Sequence, residues 1–264
     1  MQPNKTQFLS QRSGDIAASL HRDMDAKLHA SRFSTQERLA LACRYLADEG
    51  HAPTLAGQVT VRQADGTFWT TGFGAGFGDC RVGNLVRVDE EMTVVEGEGM
   101  PNPAVRFHLW VYAGRPDLGA IVHTHPPHAS VLAMAGQPLE VSHMDMMMFH
   151  DDVAMLWDWP GVPLANEEGR LISEALGDKN SILLANHGIL TAGADLDGAV
   201  FRAVHLEHAA RLQCLCRSAG YAPLAVDPEL ASEARRFVTA PKFIEMTFDY
   251  WCRQALRRHP DALG

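Results

Sequence analysis

Residues 118–132 read Leu118-Gly119-Ala120-Ile121-Val122-His123-Thr124-His125-Pro126-Pro127-His128-Ala129-Ser130-Val131-Leu132. The run Ala120-Ile121-Val122 is apolar and too short for a helix, so it reads as a buried strand. Pro126-Pro127 stops it, because proline has no N–H to give a ladder. Alternate residues of a strand share a face, so His123 and His125 project side by side where the strand ends. Neutral imidazole is the commonest protein metal ligand, and this pair makes a two-point grip on a divalent cation.

A second stretch repeats the design. Ser181-Ile182-Leu183-Leu184-Ala185-Asn186-His187-Gly188 is a short buried run ending in histidine. Gly188 sits where backbone would pass close to a neighbour, and Ile189–Gly193 reads as a continuation of the strand. Two strands of one sheet would bring His187 to the pair. Three imidazoles with an open fourth position is the layout of a catalytic metal site, not a closed structural one. Zinc suits that donor set, with manganese as the alternative.

The chain has 264 residues, 46% of them hydrophobic, enough for one large domain or a domain with an appendage. Its net charge of -9 comes without a basic stripe, which argues against a nucleic-acid partner. No run approaches a membrane span. Met1-Gln2-Pro3-Asn4-Lys5 lacks the apolar core of a signal peptide, so a soluble cytoplasmic protein is expected. The five cysteines are scattered and odd in number, so no disulfide framework is indicated. Cys214 and Cys216 lie two apart in a helical pattern and do not share a face.

Helix and strand signals alternate along the chain, as in a single α/β domain. Residues 1–33 are polar and read as an arm or loose helix. Ser34-Thr35-Gln36-Glu37 is an N-cap signal for a helix over 38–49, ended by Gly50. Gln58–Arg62 and Thr67–Thr71 are β-rich and joined across Asp65-Gly66, a hairpin signal. The loop 72–78 is glycine-rich but opens no helix, so a dinucleotide reading is weak. Short strands are expected at 85–88 and 93–96, and a helix over 104–113 follows Pro103. Further expectations are a short helix at 129–135, a strand at 139–143, and helices at 167–176 and 195–218. The tail, 228–258, reads as two helical pieces broken at Pro241. This divides the chain into an arm (1–33), a metal-binding domain (34–220) and a helical extension (221–264) packed on that domain or on a neighbouring subunit.

The combined pattern Glu96-Gly97, Pro101, Arg106-Phe107-His108, Arg115-Pro116-Asp117, His123-Thr124-His125 and Asn186-His187-Gly188 resembles the class II aldolase/adducin family over roughly residues 34–215. Gly57-Gln58-Val59-Thr60-Val61-Arg62 fits the family's early glycine motif. The resemblance implies an α/β/α three-layer fold around a mostly antiparallel sheet, a metal held by His123, His125 and His187, and a homotetramer with its sites between subunits. Sugar-phosphate members typically carry Pro-Ser-Ser-Glu before the helix, where this chain has Pro101-Asn102-Pro103-Ala104. The family's phosphate loop is altered to Thr70-Thr71-Gly72-Phe73. The serines and the acid/base glutamate are missing, so the expected substrate is a small non-phosphorylated hydroxy or keto carboxylate.

The expected activity is metal-dependent carbon–carbon bond cleavage, aldolase-type, through a metal-stabilised enolate. The alternatives are decarboxylation of an aromatic or keto carboxylate, which needs no base to start, and a non-catalytic adducin-like assembly role. A retro-aldol reaction needs a proton carrier in place of Ala104. His143 and His108 are candidates, Asp145 is a candidate to orient a ligand histidine, and Glu98 reads as surface. Arg106 is a candidate partner for a substrate carboxylate, against a structural ion pair. Met144 and Met146–Met148 read either as an apolar lining for a flat substrate or as core.

Overall fold

The computed structural model describes residues 13–162 and 166–264. Eight strands form one sheet: β1 (Gln58–Arg62), β2 (Phe68–Thr71), β3 (Leu85–Val88), β4 (Val94–Glu96), β5 (Ala120–Thr124), β6 (Val153–Leu156), β7 (Ser181–Leu184) and β8 (Ile189–Gly193). Their order is β4-β3-β2-β1-β5-β8-β7-β6. Neighbours are antiparallel except β6 and β7. The described helices are α1 (Ser13–Lys27), α2 (Thr35–Asp48), α3 (Val105–Gly114), α4 (Pro127–Met134), α5 (Asn166–Leu176), α6 (Leu196–Ser218), α7 (Pro228–Val238) and α8 (Pro241–Arg258).

Strand alternation builds the layers. Along β5, Ala120 and Val122 join the core with α2, α4, α6 and α8, while Ile121 joins the opposite core with α3 and α5. Both faces of the sheet are therefore covered, and the fold is the expected α/β/α sandwich on a mostly antiparallel sheet.

Local chemistry sets several boundaries as read. Ser34 accepts from the Glu37 N–H while the Glu37 carboxylate accepts from the Ser34 N–H, a complete capping box. Asp195 caps α6 through the Gly198 N–H. Prolines open α4, α7 and α8, where a missing N–H costs nothing.

Two expectations need correction, and one open choice is decided. Ile189–Gly193 does not continue the β7 strand; it is the second arm of an antiparallel hairpin. His187 therefore sits in the turn, where Asn186 adopts φ +54, the His187 N–H bonds to Leu184 O, and the Leu184 N–H bonds to Gly188 O. Two apolar runs separated by four residues are as compatible with a hairpin as with one long strand, and periodicity does not separate them. Residues 139–143 form no strand, and β6 arises instead at 153–156, where β7 supplies a parallel partner. Met146, Met147 and Met148 are buried, with Met146 and Met148 in the main core, and line no open site. Residues 1–12 of the expected arm lie outside the described residues; its remainder includes α1. No described helix is long and apolar enough to cross a membrane.

Candidate metal centre

One end of the sheet gathers the histidines. Antiparallel pairing sets His123 beside Gln58 at the start of β1 and beside Leu190 on β8, so the β7–β8 turn lies over the end of β5. The ligating nitrogens of His123, His125 and His187 all fall within 4.8 Å of one another. The three ring centroids are 4.7 to 4.9 Å apart. Gly188 makes this approach possible: a Cβ there would lie 2.5 Å from both His125 Cδ2 and Thr124 O.

The electrostatics suit a cation. His123 Nδ1 donates to Ile189 O at 2.7 Å, so its Nε2 carries the lone pair. That Nε2 lies 3.1 Å from His125 Nε2. Nitrogens about 2 Å from a shared tetrahedral ion stand about 3.3 Å from each other, so the donor set fits a divalent ion. Burial pushes the His123 pKa well below the usual histidine value, helped by His187, His125 and His108. Burial and His125 push His187 down to about 4, and burial lowers His125. All three rings are thus neutral at pH 7, the form that binds metal.

The other candidates scatter. His108 is fully buried on α3, with Nδ1 2.9 Å from Thr60 Oγ1, and the Phe107 ring lies edge-on to both His108 and His123. Its Nε2 has no hydrogen-bond partner, and desolvation lowers its pKa to about 3. His143 is exposed and caps the 3-10 turn Met144–Phe149. Asp145 is half exposed near His143 and His208, and it lines a cavity of about 320 Å3 whose lining includes His51 but none of the three histidines. The orienting acceptor of His123 is the Ile189 carbonyl, not Asp145. Arg106 is exposed in the first turn of α3 and forms none of the ion pairs among the described residues. Glu98 is exposed in the loop before α3. A cavity of about 670 Å3 lies elsewhere, lined by residues of α6, α8 and the arm, and the histidine trio takes no part in it.

Sequence reasoning missed His51. Its carbonyl accepts from the His125 N–H at 3.1 Å, and its Nδ1 is 3.0 Å from Thr124 Oγ1. It is completely buried, and desolvation lowers its pKa to about 3. It clamps the end of β5 from behind, and the only signal in the chain was an isolated histidine after Gly50.

Comparison with known proteins agrees with this geometry. The model of the class II aldolase and adducin N-terminal domain matches residues 37–214. The chain is 29% identical over 229 residues to decarboxylase NovR of Streptomyces niveus, covering 85% of this chain and 84% of that protein. It is 32% identical over 186 residues to the 5-methylthioribulose-1-phosphate/5-deoxyribulose-1-phosphate aldolase of Rhodospirillum rubrum, covering 70% and 83%. Among solved structures, the L-fuculose 1-phosphate aldolase of Glaciozyma antarctica superposes with a TM-score of 0.81 at 27% identity, covering 93% of this chain and 99% of that one. Fold, sequence and the converging histidines agree: the chain belongs to the class II aldolase and adducin family.

Proposed function

We propose that this protein is a divalent-metal-dependent carbon–carbon lyase acting on a non-phosphorylated hydroxy or keto carboxylate, with His123, His125 and His187 as the metal ligands. The convergence of three neutral imidazoles at one sheet end carries the reading. An ion held there supplies a Lewis acid that draws electron density from a carbonyl. The chain's own part is to hold the donors. Ile189 O fixes the His123 tautomer, the Gly188 backbone lets the β7–β8 turn close, and His51 fixes the end of β5. Arg106, exposed in the first turn of α3 and in no ion pair among the described residues, is the cation assigned to a substrate carboxylate.

In retro-aldol cleavage of a 4-hydroxy-2-keto acid, the C3–C4 bond breaks and its electron pair moves toward the C2 carbonyl. The C4 hydroxyl loses a proton and C3 gains one, leaving an aldehyde and pyruvate. One observation favours decarboxylation as the second reading: no described carboxylate side chain, and no imidazole beyond the trio, hydrogen-bonds to the trio, and loss of carbon dioxide needs no initiating base. Pyruvate and carbon dioxide release from a panel of hydroxy-keto and keto acids separates the two. His123→Ala is expected to lose bound metal by elemental analysis and all turnover. Full metal content or full activity in that variant would sink the proposal.

A further inference from the structure

A second group of histidines lies behind the trio, on the face of the sheet that Ala120 and Val122 join. There α6, α8 and the start of α4 border the cavity of about 320 Å3. Four of its lining residues are histidines: His51, His128, His205 and His208. His128 is committed, since its Nδ1 and its backbone N–H both donate to Glu207. His205 and His208 stand three residues apart on α6 and so share a helix face. His205 Nδ1 lies 2.8 Å from Phe201 O. A carbonyl only accepts, so the ring proton is on Nδ1 and Nε2 carries the lone pair. Ile189 O fixes His123 in the same way, and metal-ligating imidazoles are generally oriented like this.

Asp145 faces the same helix. Its Oδ2 stands 3.9 Å from His208 Nε2, and both side chains are half exposed. That is too long for a hydrogen bond. Two donors about 2 Å from a shared tetrahedral ion stand about 3.3 Å apart, so a movement of about 0.6 Å would close this pair on a cation. His143 Nδ1 is 3.6 Å from the same oxygen, but it already accepts the Asp145 N–H and is not counted as a donor. The cavity has the sign a cation needs: Glu49, Asp145 and Glu207 line it against Arg211 alone. Its lining also includes His51, completely buried, with Nδ1 3.0 Å from Thr124 Oγ1 and Nε2 without a partner among the described residues. Buried polar atoms are nearly always satisfied, so an unpartnered ring nitrogen beside two open donors points to a bound species.

We infer that this cavity is a second divalent-cation site, in which His205 Nε2, His208 Nε2 and Asp145 Oδ2 hold a borderline ion such as Zn2+ or Co2+. The donors are spread more widely than those of the trio, whose ligand atoms all fall within 4.8 Å of one another. The ion must draw them together, which makes this site the weaker of the two. Bound there, it ties the turn Met144–Phe149 to α6 and lies in the cavity that His51 lines. The His51 carbonyl accepts the His125 N–H, so one residue touches both centres. None of the three donors belongs to the trio, and the second site stands whether or not the lyase reading does.

Two measurements test it. Chelator-stripped protein is titrated with Zn2+ by calorimetry and with Co2+ by visible absorption. Two ions per chain are expected, the second about a hundredfold weaker than the first, as donors that must move would give. Dialysis removes the weak ion, so elemental analysis of dialysed protein counts the tight one alone. His208→Gln, at an exposed position, should keep the tight ion and lose the weak one. His123→Ala should do the reverse. In the second measurement, excess Co2+ should raise the thermal midpoint of His123→Ala and leave that of His123→Ala/His208→Gln unchanged. A single ion per chain overturns the second site. So does a weak ion whose affinity is the same in His208→Gln, which is an adventitious ion only. Loss of the weak ion in His208→Gln from a protein that turns over no acid keeps the second site and overturns the lyase reading instead.

Discussion

At the scale of single residues, Gly188 is the sharpest constraint on the proposed metal centre. Any side chain there meets the His125 ring and the Thr124 carbonyl at 2.5 Å, so the turn must move and carry His187 with it. Gly188→Ala is expected to lower bound metal at least about tenfold, since displacing one ligand of a tetrahedral site removes much of its affinity. Metal titration of the variant, with its circular dichroism unchanged, checks this. His51→Ala should act differently: its carbonyl bond to His125 survives, while the Thr124 contact is lost and a cavity opens. A loss of about 2–4 kcal/mol in stability is expected, measured by urea unfolding. The His-x-His pair was legible in the sequence because both ligands lie on one strand. His51 was not, because its role is a contact across 73 residues that no local pattern encodes.

At the scale of elements, caps and prolines were legible because they act within one turn. Ser34→Ala should cost about 1 kcal/mol by removing one half of a reciprocal cap, read as a drop in thermal midpoint. Glu207 shows what was not legible. From α6 it accepts the His128 and Ala129 N–H groups and His128 Nδ1 at 2.6 Å, so it caps the start of α4 from another element. Glu207→Ala leaves those buried donors unpaired and should cost about 2–3 kcal/mol, again by urea unfolding. The β7–β8 hairpin belongs here too. Its two apolar arms are visible in sequence, but the turn is set by Asn186 at φ +54 and by β5, which the second arm must pair.

At the scale of the whole molecule, buried neutral histidines tie stability to pH. His108 takes a proton at about 6.5 when unfolded but only near 3 when folded, because burial disfavours its charge. Its contribution is therefore complete above pH 6.5 and is lost as pH falls through that window toward 3. Each such histidine costs about 1.4 kcal/mol per pH unit there. Stability of the metal-free protein should fall steeply between pH 6.5 and 5, and His108→Gln should make that slope shallower by about one such increment. Urea unfolding across the range measures it, and an unchanged slope would falsify the assignment.

The sequence by itself determined the α/β class, most element boundaries and the identity of the three converging imidazoles. Those are written in short-range periodicity, proline and glycine positions and a two-residue spacing. Tertiary structure alone decided that His187 lies in a hairpin turn, that Met146–Met148 are buried, that Asp145 lines a cavity without the trio and that His51 backs the site. Each of these depends on which distant strand or helix packs where, and such pairings arise from burial summed over the whole sheet, not from any stretch read alone.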